Sequence, residues 1–323
     1  MADIYMHQQL AHDVYESLDT SIKDRLDKAA FFVGSQGPDP YFYRIFSSEE
    51  HAAKALGDTM HTHDINSVFL TMAQTVRTTP SKTAYGFLLG YALHFALDTA
   101  IHPYVYHHVG IYDKADAGTE HLRGLHLKFE RRIDAALIKR DHRMKPHRFP
   151  LRKKALPLKQ IPTAIKTVMD TVTKAVYDVD NGGYSYQRSY QGMRFVIGHI
   201  VRDRFGLKKT VYRFIDRFQK KRDLHYRDLS FHGVDLSFDY LNETNRTWKH
   251  PVTGETSQKS VTALYEDAKE ESKQLIDALH QYVFFDKTLD VSRLFGNRSY
   301  TTGLECLDKR PIQHLNIFTE PRV

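Results

Sequence analysis

The chain has 323 residues, 41% hydrophobic and 26% charged, with one cysteine and a formal net charge of +7. That length can bury a complete core, as one large domain or two smaller ones, and that composition excludes wholesale disorder. The lone Cys306 excludes an intramolecular disulfide and any thiolate metal site, while runs of β-branched residues at period two are absent, so the expectation is an all-α protein with few strands.

From the N-terminus, periodicity predicts an amphipathic helix over 3–18 with the stripe Leu10, Ala11, Val14 and Leu18. His7 lies on the axis of that stripe and His12 roughly opposite, so His7 should point inward and His12 to the surface. The chain opens directly on this helix, without a basic n-region and an apolar h-region. No secretory signal is therefore expected, and the protein reads as cytoplasmic. A second helix is expected over 21–32, followed by the turn Gly34-Ser-Gln-Gly37-Pro-Asp39-Pro40. Asp39, held between prolines, suits a rigid ligand and an Asx-type turn about equally. Tyr41, Phe42 and Tyr43 suit a substrate pocket or the core, with the core favoured for at least two. His61 and His63 stand two apart, diverge on a helix, and so at most one faces a site. The next helices are predicted over 63–78 and 81–101.

The helix over 81–101 carries Gly90-Tyr-Ala-Leu-His94-Phe-Ala-Leu-Asp98-Thr-Ala-Ile-His102-Pro103. His94, Asp98 and His102 recur at i, i+4 and i+8, within an arc of about 80° on one face. The apolar run around them is too polar and interrupted for a membrane span and predicts a buried core helix. Desolvating a carboxylate beside two imidazoles is costly unless something binds them, most commonly a metal ion. The residue before a proline is pushed out of the α region, so this helix should end or kink at His102. A helix over 118–140 repeats the spacing with His126 and Glu130. Its apolar arc, Leu122, Leu125, Phe129, Ile133 and Leu137, includes His126, with Glu130 at the edge and His121 pointing away. Chance alone supplies about two His-x-x-x-acid pairs in a chain with 19 His and 39 acidic residues. The spacing therefore carries weight only through its buried context, which His12/Glu16 lacks. The buried pairs suggest a multi-metal hydrolytic centre.

Further helices are predicted over 160–178, 187–205, 208–222 and 258–285, with a weaker one near 232–244. Residues 1–140 form a helical core bearing the metal site, 141–162 a basic proline-rich connection, and 163–323 a helical C-terminal part packed on the core as one domain. Residues 139–227 hold 23 Lys+Arg against 7 Asp+Glu, a balance of +16, leaving −9 on the rest. Such a block fits a phosphate-bearing partner, an anionic membrane surface or a nucleic acid; solvated helix faces account for it about as well.

The ordered series His7, Asp39, His61, His94-x3-Asp98, His102 and His126-x3-Glu130 resembles the bacterial zinc-dependent phospholipase C family, whose fold is shared with the P1-type zinc nucleases. The resemblance covers roughly residues 3–140 and is closest to the family's cytoplasmic branch. It implies a multi-helix bundle of that type with a C-terminal helical extension, two or three zinc ions, and a phosphate-ester substrate of phospholipid or nucleotide type. Carried over, Asp39, His61, His94 and Asp98 hold a first zinc. His102, His126 and Glu130 hold a second with an open position, and His7 with Asp98 contributes to a third. His61 is preferred to His63 because it stands three before Asp64, as in the family's His-x-x-Asp. The secreted enzymes complete their third site with an N-terminal tryptophan amine, whereas the only tryptophan here is Trp248. The third metal is then absent, weakly held, or bound through another group such as Asp3 or a trimmed Ala2 amine. The step from Asp98 to His102 is also shorter than in the secreted phospholipases by about half a turn.

The expected function is that of a zinc-dependent phosphodiesterase of phospholipase C type, with Asp39 orienting or deprotonating the attacking water. The alternatives are a P1-like nuclease or phosphomonoesterase using the same metals, or a non-catalytic, metal-stabilised helical protein that binds nucleic acid or membrane. An open coordination position separates the catalytic readings from the structural one.

Overall fold

Helical periodicity is realised along most of the chain in the computed structural model, which describes residues 4–218 and 225–319. The helices are α1 (Ile4–Ser17), α2 (Thr20–Lys23), α3 (Lys28–Gly34), α4 (Glu50–Thr62), α5 (Ile65–Thr78), α6 (Lys82–Val109) and α7 (Leu125–His142). They continue with α8 (Leu151–Ala155), α9 (Thr163–Tyr177), α10 (Gly182–Phe195), α11 (Leu207–Asp216), α12 (Val261–Phe284) and α13 (Val291–Phe295). Described strands amount to one antiparallel pair, Trp248–Lys249 with Thr256–Ser257. The protein is all-α.

The 28-residue α6 is the axis. It is apolar on every side because α1, α3, α5, α7, α9 and α12 pack around it. It is long and apolar enough to cross a bilayer, but its faces are covered by those helices. Its seam with α3 is made of glycines. A Cβ on Gly90 would stand 2.0 Å from the Phe31 carbonyl oxygen, one on Gly86 2.6 Å from that of Asp27, and one on Gly34 2.3 Å from that of Phe87. Backbone lies on backbone here, and the i, i+4 repeat of Gly86 and Gly90 leads on to His94, Asp98 and His102.

The expected end of this helix at His102 is not observed: α6 runs through Pro103 to Val109. Pro103 has no N–H for the Thr99 carbonyl, and Gly303 closes on that oxygen, with its Cβ position 2.7 Å away. Burial of Ile101, Tyr104 and Val105 on either side of the proline outweighs the local preference of the residue before it. The end of α6 is then covered by the C-terminal segment. Asn316 N–H and Phe318 N–H donate to the His107 and His108 carbonyls (2.8 and 2.9 Å), which lie too near the helix end to find partners inside it.

Other boundaries shift for identifiable reasons. The helix expected over 21–32 is two helices, α2 and α3, the second capped by the Asp27 side chain. The helix α4 was not expected, although Ala53, Leu56, Gly57 and Met60 form a buried i, i+3, i+4, i+7 stripe diluted by polar neighbours. The predicted 118–140 element breaks at Gly124 (φ +73°) into a 3-10 turn and α7. The 187–205 element starts earlier, at Gly182, and ends in a π turn over Val196–Val201. No helix forms at 232–244, and beyond residue 285 only α13 is helical among the described residues. Residue 3 of the first predicted helix, residues 219–222 of the 208–222 helix, and Asp3 and Ala2 as candidates for the third metal lie outside the described residues. The 141–162 segment buries Leu151, Ala155, Leu156 and Ile161, and a single buried apolar cluster runs from Ile4 to Phe318.

Candidate metal centre

All eight residues named above converge where α1, α4, α6, α7 and the Asp39–Tyr43 turn meet. His7 comes from the first turn of α1, whose start is held by α7: Tyr5 N–H and Met6 N–H donate to the Asp134 carboxylate (2.8 and 3.1 Å). Asp134 thus does for α1 what an N-cap side chain does. Replacing it by alanine should cost about 0.5–2 kcal/mol and should reduce zinc content through His7. Calorimetry and metal analysis of Asp134→Ala check both, and wild-type zinc content would show that His7 is held by other means.

Asp39 begins a 3-10 turn after Gly37, whose φ is +50°. The His94 ring lies over Gly37 so closely that a Cβ there would stand 2.2 Å from its Cδ2. The turn is held by the C-terminal half of the chain: Tyr186 Oη donates to the Gly37 carbonyl (3.1 Å) and Tyr41 Oη to that of Gly182 (3.0 Å). Tyr41 is therefore core, and Phe42 packs its ring 5.4 Å from that of His61. His61 ends α4 and is buried, whereas His63 is exposed. His12 and His121 are exposed as well.

The donor atoms fall into three groups: His7, His94 and Asp98; Asp39, His61 and His94; His102, His126 and Glu130. Asp98 turns Oδ1 toward His7 Nε2 (3.2 Å) and Oδ2 toward His94 Nε2 (3.2 Å), with His61 Nε2 at 3.9 Å. Asp39 Oδ1 lies 3.2 Å from His61 Nε2 and 3.8 Å from His94 Nε2. Glu130 Oε1 lies 3.3 Å from His102 Nε2 and 2.9 Å from His126 Nε2. Ligands about 2.0–2.2 Å from a tetrahedral zinc ion stand about 3.3–3.6 Å apart, close to this spacing.

The protonation pattern makes the same point. His61 Nδ1 lies 2.7 Å from the Gly57 carbonyl, His94 Nδ1 3.2 Å from that of Ser35, and His102 Nδ1 2.7 Å from that of Tyr300. A carbonyl only accepts, so each Nδ1 carries the proton and each Nε2 presents a lone pair. Those lone pairs face carboxylate oxygens, acceptor against acceptor, which is unfavourable without a cation between them. Burial lowers His94 and His126 below the usual 6.5, so neither readily supplies that charge by protonation. Burial alone would raise the carboxylates; positive charge on the imidazoles beside them offsets it and holds Asp98 well below its usual range and Asp39 and Glu130 below theirs. Where those imidazoles are neutral, a bound cation has to supply that charge. His7 Nε2, His94 Nε2, His102 Nε2 and both Asp98 oxygens are buried without a hydrogen bond among the described residues. The residues present fit a cluster of divalent cations.

His126 is the most exposed of the eight, its side chain 27% accessible, and it marks the open side. Tyr106 sits beside it, rings 4.9 Å apart. Asp58, three residues before His61, has its carboxyl raised by partial burial. Sequence reasoning missed Tyr106, Asp58, Asp134 and the Ser35 and Tyr300 carbonyls. Only the i, i−3 relation of Asp58 to His61 was visible along the chain.

A family model described as zinc dependent phospholipase C matches residues 6–179, a span that contains all eight residues. No curated protein and no solved structure matches the chain.

Proposed function

Because the chain belongs to the zinc dependent phospholipase C family, we propose that it is a zinc-dependent phosphodiesterase that hydrolyses a phospholipid-class phosphate ester. The family's zinc dependence and the three clusters fit two or three zinc ions. The observation that carries the reading is the set of imidazole nitrogens and carboxylate oxygens facing one another across 2.9 to 3.9 Å, with His126 at the open edge. When bound, zinc supplies positive charge to the non-bridging phosphoryl oxygens and makes a water acidic enough to attack near neutral pH.

The chain's own residues do the rest. Asp98 faces His7 through Oδ1 and His94 through Oδ2, and the second oxygen also reaches toward His61 of the neighbouring group. Asp39 is held ionised beside the His61 and His94 rings, so it is a weak base. Its part is to accept a hydrogen bond from the attacking water and orient it. Burial keeps Tyr106 a phenol, an O–H donor beside the open edge where the phosphate enters.

Metal analysis after purification without chelators, paired with assays on phosphatidylcholine, single-stranded DNA and an aryl phosphodiester, tests this reading. Two or three zinc ions per chain and chelator-sensitive lipid hydrolysis are expected. Less than one zinc per chain would overturn the cluster. Stoichiometric zinc without turnover, unchanged in His126→Ala, would favour a binding protein, and turnover confined to DNA a nuclease.

The pH dependence follows from the same histidines. The folded protein keeps His94 and His126 neutral below the pH at which the unfolded chain protonates them. The stability that depends on their neutral form is therefore present at 6.5 and is lost as the pH falls further. Zinc should survive dialysis at pH 6.5 and leave on further acidification; complete release already at 6.5 would contradict this.

A further inference from the structure

The helix α11 is turned inside out. Its polar side faces the protein: Tyr212 Oη donates to the Ile200 carbonyl (2.9 Å) and Lys209 Nζ to those of His232 and Gly233 (2.9 and 2.8 Å). Asp216 accepts from Tyr226 N–H and Arg227 N–H (2.8 and 3.1 Å). None of its residues is buried. Leu207, Val211 and Phe214 share an arc of about 60° on the outer side. They are 71%, 54% and 60% exposed, and Phe205 before the helix is 75% exposed. An ordinary surface helix turns such a stripe inward.

Exposed cations surround the ridge. Arg213 and Arg217 lie along one side of it, and Arg202 and Arg204 precede it. The last two also line a cleft of about 570 Å³ with His147, Arg148, Arg152 and Lys153. The cleft is walled in part by the π turn over Val196–Val201, where Arg152 lies against Gly198.

We propose that this face docks on an anionic phospholipid bilayer, with the α11 ridge at the acyl boundary and the arginines and cleft among the lipid phosphates. A bilayer interface offers hydrocarbon and negative charge within one thickness, which matches apolar residues ringed by cations. A nucleic acid satisfies the cations but leaves Leu207 and Val211 in water. A second copy brings one basic block against another. The surface shares no residue with the metal cluster, so its test needs no turnover.

The test is vesicle co-sedimentation of the intact, zinc-loaded chain with phosphatidylcholine vesicles, with and without phosphatidylserine, at low and high salt. Binding to the anionic vesicles is expected, weakened by salt. The doubly substituted Leu207→Ser/Phe214→Ser should lose about tenfold or more while keeping zinc content and melting temperature, since neither side chain is buried. Equal binding to neutral vesicles, wild-type binding by the double variant, or preference for DNA over anionic vesicles would overturn the proposal. So would a wild-type dimer that the double variant turns into a monomer, because the ridge would then belong to a second copy.

Discussion

Asp98→Asn is expected to remove more zinc, and more activity, than any single change confined to one group. Asp98 sends one oxygen to His7 and the other to His94, with His61 and His102 within 3.9 Å, whereas Glu130 meets only His102 and His126. The asparagine keeps the volume but has one acceptor where the carboxylate had two, and it is neutral. Loss of several kcal/mol of transition-state charge stabilisation corresponds to about a thousandfold in turnover. The new amide N–H can donate to a neighbouring Nε2 lone pair, so the metal-free variant should still fold. Zinc per chain, turnover and melting temperature of Asp98→Asn beside Glu130→Gln are the measurements. Equal metal losses in the two variants would rule out a bridging role for Asp98.

Gly90→Val is expected to have the largest effect on folding. Its Cβ would stand 2.0 Å from the Phe31 carbonyl oxygen and 2.9 Å from the Ser35 nitrogen, both backbone atoms that no rotamer change can move aside. α3 has to separate from α6, opening a seam where backbone lies on backbone at a cost of about 3 kcal/mol or more. Ser35, whose carbonyl orients His94, moves with it, so zinc should fall together with stability. Denaturant unfolding and metal analysis check this, and a variant within about 1 kcal/mol of wild type would mean that the seam yields elsewhere.

Both predictions concern α6, and α6 also shows what is legible along a chain. A stripe at i, i+4 and i+8 within an apolar run identifies inward residues before any packing is known, because helix geometry alone puts them on one side. His7 against His12, and His126 against His121, were separated in the same way. The end expected at His102 does not occur because a proline's local penalty is small beside the burial of the residues around it. Gly303, 200 residues later, closes on the carbonyl the proline leaves. The helix α4 was missed because only Leu56 and Met60 of its stripe are strongly apolar, and polar neighbours dilute them. The helix α11 could be read as helical and basic, but not that it faces outward, since its orientation depends on contacts with Ile200, His232 and Tyr226.

The sequence by itself determined the class of fold, the inward face of the site-bearing helices α1, α6 and α7 and the chemical character of the donors. Those properties follow from local periodicity and side-chain chemistry. Tertiary structure decided which donors meet, which nitrogen of His61, His94 and His102 is free to bind, and where the site opens. Those depend on carbonyls and carboxylates such as Ser35, Tyr300 and Asp134, brought in from 59, 198 and more than 120 positions away. A backbone carbonyl has no side-chain signature, so its place in a site appears only when the chain has closed around it.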